Sequence, residues 1–264
     1  TSMFDLGRKS VAVNLSDIAA MGGSPQTLFL GLGFSRQMAA EGLREFVRGF
    51  IAEAKASNVV LAGGDTCASP GPLMISVTVH GTVSPEQIIR RSGAAPGDSI
   101  YVSGTLGDSA LALQRLQAGE LPVPCLAVRL HTPRAKVALG RCLAAGGFAT
   151  AMIDVSDGLL ADLTHLLAAS GAGAEISLAK MPLSPAFREA WLTDPGLIDL
   201  ALAGGEDYEL LFTSPRADLQ QRLEPDFQVT RIGTVCRQQG LRIGREDGTE
   251  YQCRQRGFDH FRSD

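Results

Sequence analysis

Acidic residues recur at four places where an apolar segment meets a turn. They are Asp17 in NLSDIAAMGG, Asp65 in VVLAGGDT, Asp154 and Asp157 in AMIDVSDGLLADL, and Glu206 with Asp207 in LAGGEDYELLF. Carboxylates hold divalent cations such as Mg²⁺. Glycines beside them allow a phosphate chain to approach the backbone closely. Four such clusters in one chain indicate metal-assisted phosphate chemistry.

Asp17 lies inside a segment whose apolar residues have helical spacing. It is flanked by Leu15, Ile18 and Ala19. A carboxylate among apolar side chains is costly unless it is paired, capped or metal-bound. The same pattern equally allows Asp17 to point to solvent from the polar face of the helix, so both interpretations stay open.

Asp65 follows Gly63 and Gly64 at the carboxyl end of a strand that we predict to be buried. Ligands bind at that end of the strands in α/β sheets. An ordinary strand-to-loop turn would look the same, and the segment is not a P-loop because no GK[ST] follows.

The segment around Asp154 is the sharpest of the four. Asp154 closes a predicted strand, and a helix is predicted over 157–170. Ser156 or Asp157 could cap that helix, and a helix N-terminus also attracts phosphate. Two carboxylates three residues apart around the turn could hold a divalent metal. Asp162 is expected at an exposed polar position further along the helix.

Two further charged positions are candidates for ligand binding. Glu206 opens an acidic pair that follows two glycines, a pattern that more often marks a hairpin turn than a site. Arg91 precedes the turn SGAAPGD, and its guanidinium fork suits phosphate recognition. An exposed arginine before a turn is the alternative.

Composition narrows the function classes. The 264 residues are 45% apolar and 20% charged, as in ordinary globular proteins. The net charge of −4, the absence of a basic stripe and the 6% aromatic content argue against a nucleic-acid partner. Five scattered cysteines and four histidines show no zinc or disulfide spacing. No apolar run reaches membrane-spanning length, so a cytoplasmic protein without membrane contact is expected.

The elements that must position these residues alternate between helix and strand, which predicts α/β and α+β layers. Two domains are expected, 1–122 and 123–264, with the boundary near the proline-rich stretch 120–133. Helices are predicted over 7–21, 39–58, 107–118, 133–145, 157–170, 184–192 and 215–223. Strands are predicted over 28–34, 59–66, 73–83, 150–154, 174–178, 207–213, 227–235 and 241–244, and near 100.

Six segments, in this order, resemble the thiamine-monophosphate kinase family across nearly the whole chain. They are KSVAVNLSDIAAMGGSP, GGDT, RSGAAPGDSIYVSG, IDVSDGLLADL, GGEDYELLFT and GFDHF. The resemblance implies the two-domain fold typified by aminoimidazole ribonucleotide synthetase. In that fold the N-terminal α/β domain forms a homodimer through its sheet, and the C-terminal domain is α+β.

The resemblance also implies a reaction and its residues. ATP would transfer its γ-phosphoryl group directly to thiamine monophosphate, giving thiamine diphosphate and ADP. The implied Mg²⁺ ligands are Asp17, Asp65, Asp154 and Asp157. The implied nucleotide contacts are Gly64, Asp65, Arg91 and Ser156. Glu206 and Phe258 are the implied contacts to the thiamine moiety.

The family carries a further N-terminal segment with metal and substrate residues, which has no counterpart after Thr1 here. A chain lacking it is expected to lose part of the metal cluster. Two alternatives therefore remain: a non-catalytic fragment that binds nucleotide or thiamine phosphate, and another ATP-dependent enzyme of the same fold.

Overall fold

The structure is a computed structural model that describes residues 1–35 and 37–254. The helices in these ranges are α1 (Met3–Ala20), α2 (Ala40–Ala56), α3 (Asp108–Gln117), α4 (Pro124–His131), α5 (Val137–Ala145), α6 (Leu159–Ser170), α7 (Pro185–Thr193), α8 (Ile198–Ala203) and α9 (Leu219–Leu223). The strands are β1 (Ser24–Phe34), β2 (Val60–Ala68), β3 (Met74–Thr82), β4 (Ser99–Ser103), β5 (Ala151–Asp154), β6 (Gly173–Ser177), β7 (Leu210–Ser214), β8 (Val229–Cys236) and β9 (Gly240–Gly244).

The first sheet has three strands in the order β2-β1-β3. β1 pairs parallel with β2 and antiparallel with β3. Alternate residues of β1, Leu28, Leu30 and Leu32, are buried in one cluster with Phe46 and Phe50 of α2. Because side chains alternate across a strand, this arrangement covers one face of the sheet with helices and leaves the other open.

The sequence predicted that the strand carrying Asp65 is buried, and this prediction is wrong. All nine residues of β2 are exposed, because β2 lies at the edge of the sheet. Its apolar composition therefore does not reflect a core position. β3 behaves as its alternation predicts, with Ile75, Val77 and Val79 partly buried against the helices.

The second sheet has six strands in the order β5-β7-β4-β8-β6-β9. Its pairs are antiparallel except β6 with β9. β4 and β7 lie inside the sheet and are buried along their whole length. β5 forms one edge and pairs Asp154 with Leu210 of β7. This pairing sets two of the acidic segments side by side.

The expected two-part architecture of mixed sheets and helices is confirmed. α4 and α8 are additional helices that the sequence pattern did not reveal, and α4 occupies the proline-rich stretch. β4 belongs to the six-stranded sheet, while the division at 122/123 stays a prediction. Across the described ranges, no helix has the length and apolarity needed to cross a membrane.

Candidate active site

Three backbone hydrogen bonds join the acidic turn after β5 to the acidic segment before β7. The Glu206 and Tyr208 amides donate to the carbonyls of Ser156 and Val155, each at 2.8 Å. The Val155 amide donates to the Glu209 carbonyl, also at 2.8 Å. The bonds extend the β5–β7 pairing beyond the strands. They hold Asp154, Asp157 and Glu206 in one place although about fifty residues separate them in sequence.

The backbone of this junction is strained. Glu206 has φ 67° and Tyr208 has φ 50°, and a non-glycine residue in such a conformation costs on the order of 1 kcal/mol or more. A Cβ atom on Gly205 would lie 2.3 Å from the Ser156 carbonyl oxygen. The glycines before the acidic pair therefore allow the two segments to come together.

The start of α6 differs from the expectation in two ways. Its N-cap is Gly158, with no side-chain cap hydrogen bond, so neither Ser156 nor Asp157 caps the helix. Asp162, expected to be exposed, is buried. Its Oδ2 accepts hydrogen bonds from the backbone amides of Ser156 and Asp157 at 3.0 and 3.1 Å. Burial raises the pKa of Asp162 to about 7, and the side chain holds the acidic turn in shape.

Helix α1 supplies the opposite wall of the site. The Ser16 hydroxyl donates to Asp154 Oδ2 at 2.7 Å, and Asp154 is buried. Burial, and then the charge of Asp154, raise the pKa of Asp17, whereas Arg91 lowers it. Burial also raises the pKa of Asp154, with Arg91 again lowering it and Asp157 raising it. Asp17, Asp154, Asp157 and Arg91 therefore share one electrostatic site.

Tyr208 belongs to the same site, although the sequence reasoning did not single it out. Its pKa is raised well above the ordinary value, first by burial and then by the charges of Glu206, Asp154, Asp17 and Asp157. The phenol thus stays a neutral hydrogen-bond donor among carboxylates.

The structure places the remaining predicted residues elsewhere. Gly64 and Asp65 lie on the exposed strand β2, where Asp65 pairs with Gly31 and its Oδ1 accepts from the Thr66 amide at 2.8 Å. In the described part of the chain, no hydrogen bond or ion pair joins them to the site around Asp154. Phe258 lies outside the described residues.

Comparison with known proteins supplies the family. Residues 1–83 match the AIR synthase related protein N-terminal domain, and residues 95–245 match its C-terminal domain. The thiamine-monophosphate kinase of Salmonella typhimurium is 37% identical over 270 residues, covering 97% of this chain and 80% of the relative. The thiamine-monophosphate kinase of Escherichia coli K12 is 38% identical over 267 residues, covering 97% of this chain and 80% of the relative. The chain belongs to the thiamine-monophosphate kinase family.

Solved structures agree with this assignment. The thiamine-monophosphate kinase from Stenotrophomonas maltophilia K279a matches at a TM-score of 0.85 and 42% identity, covering 94% of this chain and 80% of that one. AaThiL complexed with AMPPCP and TMP matches at a TM-score of 0.87 and 33% identity, covering 99% of this chain and 82% of that one. The hydrogenase maturation protein HypE of E. coli matches at a TM-score of 0.80 but at only 23% identity, covering 98% of this chain and 80% of that one. That last likeness shows a shared fold alone.

The acidic site of this thiamine-monophosphate kinase family member offers carboxylate oxygens that suit a divalent cation. Within residues 1–35 and 37–254, no three His, Cys, Asp or Glu side chains form a metal site unaided. Mg²⁺ commonly uses one or two protein carboxylates together with waters and substrate phosphates. The raised pKa values of Asp17 and Asp154 reflect burial and neighbouring negative charge, which a dication would offset. These hard oxygen donors fit Mg²⁺.

The sequence reasoning also missed two cationic side chains that contact the acidic segment before β7. Lys9 Nζ lies 3.0 Å from Glu206 Oε2. The Arg129 guanidinium donates to Glu209 Oε1 at 2.7 Å and to the Asp207 carbonyl at 3.3 Å. A signal for Lys9 was available: it lies seven residues, about two helical turns, before Ser16, and therefore on the same face of α1.

Proposed function

We propose that this chain phosphorylates thiamine monophosphate at the expense of ATP, producing thiamine diphosphate and ADP. The observation that carries the proposal is the meeting of three sequence-distant segments, around Asp17, Asp154 and Glu206, at one acidic site. The match to AaThiL solved with AMPPCP, an ATP analogue, and TMP supports the same ligand pair. Family relatives carry the corresponding name.

We assign functional roles as follows, with Gly64 and Asp65 contributed from strand β2 and not from the site around Asp154. Nucleotide contacts are Gly64, Asp65, Arg91 and Ser156; the carboxylates for Mg²⁺ are Asp17, Asp65, Asp154 and Asp157; contacts to the thiamine moiety are Glu206 and Phe258. Bound Mg²⁺ would offset the repulsion between two polyanionic substrates and the charge of the transferring group.

Direct in-line transfer needs no general base from the protein here. The acceptor is a phosphate monoester, which is already largely a dianion near neutral pH and can attack the γ-phosphorus itself. The task of the protein is to align the two phosphates and to keep them at reacting distance. The Arg91 guanidinium and the neutral Tyr208 phenol are two donors at the site that suit phosphate oxygens.

The proposed enzyme is a homodimer formed through the open face of the three-stranded sheet. Phe29 of β1 and Met74 of β3 are exposed on that face. Since ATP is a co-substrate, we place the reaction in the cytoplasm.

The test is ADP release from ATP and Mg²⁺ with and without thiamine monophosphate. The wild-type chain should release ADP only when thiamine monophosphate is present, with one thiamine diphosphate formed per ADP. Asp157→Asn should lower kcat about 100-fold or more, because a carboxylate assigned to Mg²⁺ is lost and with it part of the positive charge at the transferring phosphate. The matched control Asp247→Asn removes an exposed carboxylate from the turn after β9 and should leave kcat unchanged.

Each other outcome has a definite meaning. A folded Asp157→Asn protein with normal kcat would exclude Asp157 as a Mg²⁺ ligand in the reaction. Binding of ATP and thiamine monophosphate without any ADP release would replace the kinase by a binding protein. A chain that binds neither ATP nor thiamine monophosphate and releases no ADP would overturn the proposed function.

A further inference from the structure

Lys9 connects the thiamine side of the proposed site to two other parts of the molecule. Its ammonium donates to Glu206 Oε2 at 3.0 Å and to the Leu130 carbonyl at 2.9 Å. Lys9 lies on α1, Leu130 in the last turn of α4, and Glu206 in the strained segment before β7. One ammonium thus joins three elements that are distant in sequence.

The surroundings of Lys9 restrict its position more than an ordinary surface lysine. Its side chain is 16% exposed, whereas that of Glu206 is 43% exposed. The carbonyls of the last helical turn have no partner within the helix, so the Leu130 carbonyl is a fixed acceptor at the negative end of α4. Lys9 is therefore the anchored member of the pair, and Glu206 is the member that a ligand can reach.

The ion pair determines what Glu206 can recognise. In this pair Lys9 Nζ donates to Glu206 Oε2 at 3.0 Å, and an ion-paired carboxylate only accepts hydrogen bonds. Lys9 occupies Oε2, and a carboxylate has further lone pairs on Oε1. A carboxylate paired in this way favours a ligand that presents an amino donor and disfavours one that presents a carbonyl oxygen.

We propose that Lys9 is a positioning residue that fixes Glu206 for recognition of the amino group on the pyrimidine ring of the substrate. The inference rests on the proposed function, because it takes Glu206 as a contact to the thiamine moiety. Lys9 itself does not touch the substrate. It determines the preference for a 4-aminopyrimidine over a 4-oxopyrimidine.

The experiment compares the dissociation constants of thiamine monophosphate, its 4-oxo analogue and ATP for wild type and Lys9→Met. Wild type should bind the amino form at least about tenfold more tightly than the oxo form, as expected for a hydrogen bond to a charged group. Lys9→Met should lower this preference to about twofold and leave ATP binding unchanged. Lys55→Met, at the exposed end of α2, is the matched control and should behave as wild type.

A double-mutant cycle with Glu206→Gln separates positioning from a general structural effect. If Lys9 acts through Glu206, the double variant should bind thiamine monophosphate no more weakly than Glu206→Gln alone. Thermal unfolding of each variant checks the fold, and Lys9→Leu, which likewise has no donor, serves if Lys9→Met unfolds.

The failures are distinguishable. Full retention of the amino preference in folded Lys9→Met or Lys9→Leu overturns the role of Lys9 alone. Additive losses in the cycle overturn it as well. Wild type that binds thiamine monophosphate without preferring the amino form overturns the assignment of Glu206, and wild type that binds no thiamine monophosphate overturns the proposed function itself.

Discussion

At the scale of single residues, neighbouring acids of the GGEDYEL segment have very different environments. Glu206 is partly exposed and paired with Lys9. Asp207 is buried; its Oδ2 accepts from the Gly107 amide at 2.9 Å, and its Oδ1 has no partner in the described residues. Burial raises the pKa of Asp207 to about 8. One acid is thus accessible to solvent while the next is buried and held largely neutral.

The raised pKa of Asp207 predicts a pH dependence of stability. Its carboxyl binds a proton in the folded state up to about pH 8 but in the unfolded state only up to about pH 4. The folded form therefore carries the extra proton, and stability falls as pH rises through this window. Asp207→Asn mimics the neutral form and should gain roughly 1–2 kcal/mol relative to wild type between pH 6 and pH 8.

Urea unfolding at several pH values measures this difference. Asp218→Asn is the control, because Arg222 lowers the pKa of that exposed carboxyl below its ordinary value, so it does not titrate in this window. Parallel stability curves for wild type and Asp207→Asn would show that Asp207 is already ionised at pH 6.

At the scale of elements, α1 is the helix that builds the site. It carries Lys9, which pairs with Glu206, and Ser16 and Asp17, which both interact with Asp154. Two glycines set its depth against α2. A Cβ atom on Gly49 would lie 1.9 Å from the Phe4 carbonyl oxygen, and one on Gly7 would lie 2.1 Å from that of Phe46. The two helix backbones are therefore in direct contact.

Gly49→Ala should separate these helices and shift α1. We expect a loss of about 2–3 kcal/mol in unfolding free energy, as for overpacked cores, and a fall in kcat because Asp17 moves with the helix. Gly42→Ala on the same helix is the control. Its Cβ would meet nothing closer than Met3 Cγ at 3.7 Å, so it should be neutral or slightly stabilising. Equal stability of the two variants would contradict the close contact.

The sequence predicted the elements better than their surroundings. Helix and strand periodicity located α1, α2, β3 and α6, because each depends on local spacing. The burial of Asp162 and the exposure of β2 were predicted wrongly. Both depend on which element packs against them, and local pattern does not record that. The Lys9–Glu206 pair spans 197 residues, so only the folded chain reveals it.

At the scale of the whole molecule, the three-stranded sheet has an open face. β1 directs Leu28, Leu30 and Leu32 to the helices, so Phe29 lies on the opposite face. Phe29 is 38% exposed, and Met74 of β3 is 56% exposed. Asp65 pairs with Gly31, two residues beyond Phe29, and therefore lies on the same face. A partner seated here would meet both the apolar residues and Asp65.

Phe29→Glu should weaken the proposed homodimer. A charge at the centre of an apolar interface opposes burial, and the loss of a central aromatic contact commonly costs 2 kcal/mol or more, about 30-fold in the dimer dissociation constant. Leu113→Glu on α3 is the matched control, since Leu113 is 42% exposed on a different element. Sedimentation equilibrium should show dimer for wild type and the control, and dissociation for Phe29→Glu at the same concentration. A wild-type chain that stays monomeric, or a Phe29→Glu variant as dimeric as wild type, would exclude this sheet face as the interface.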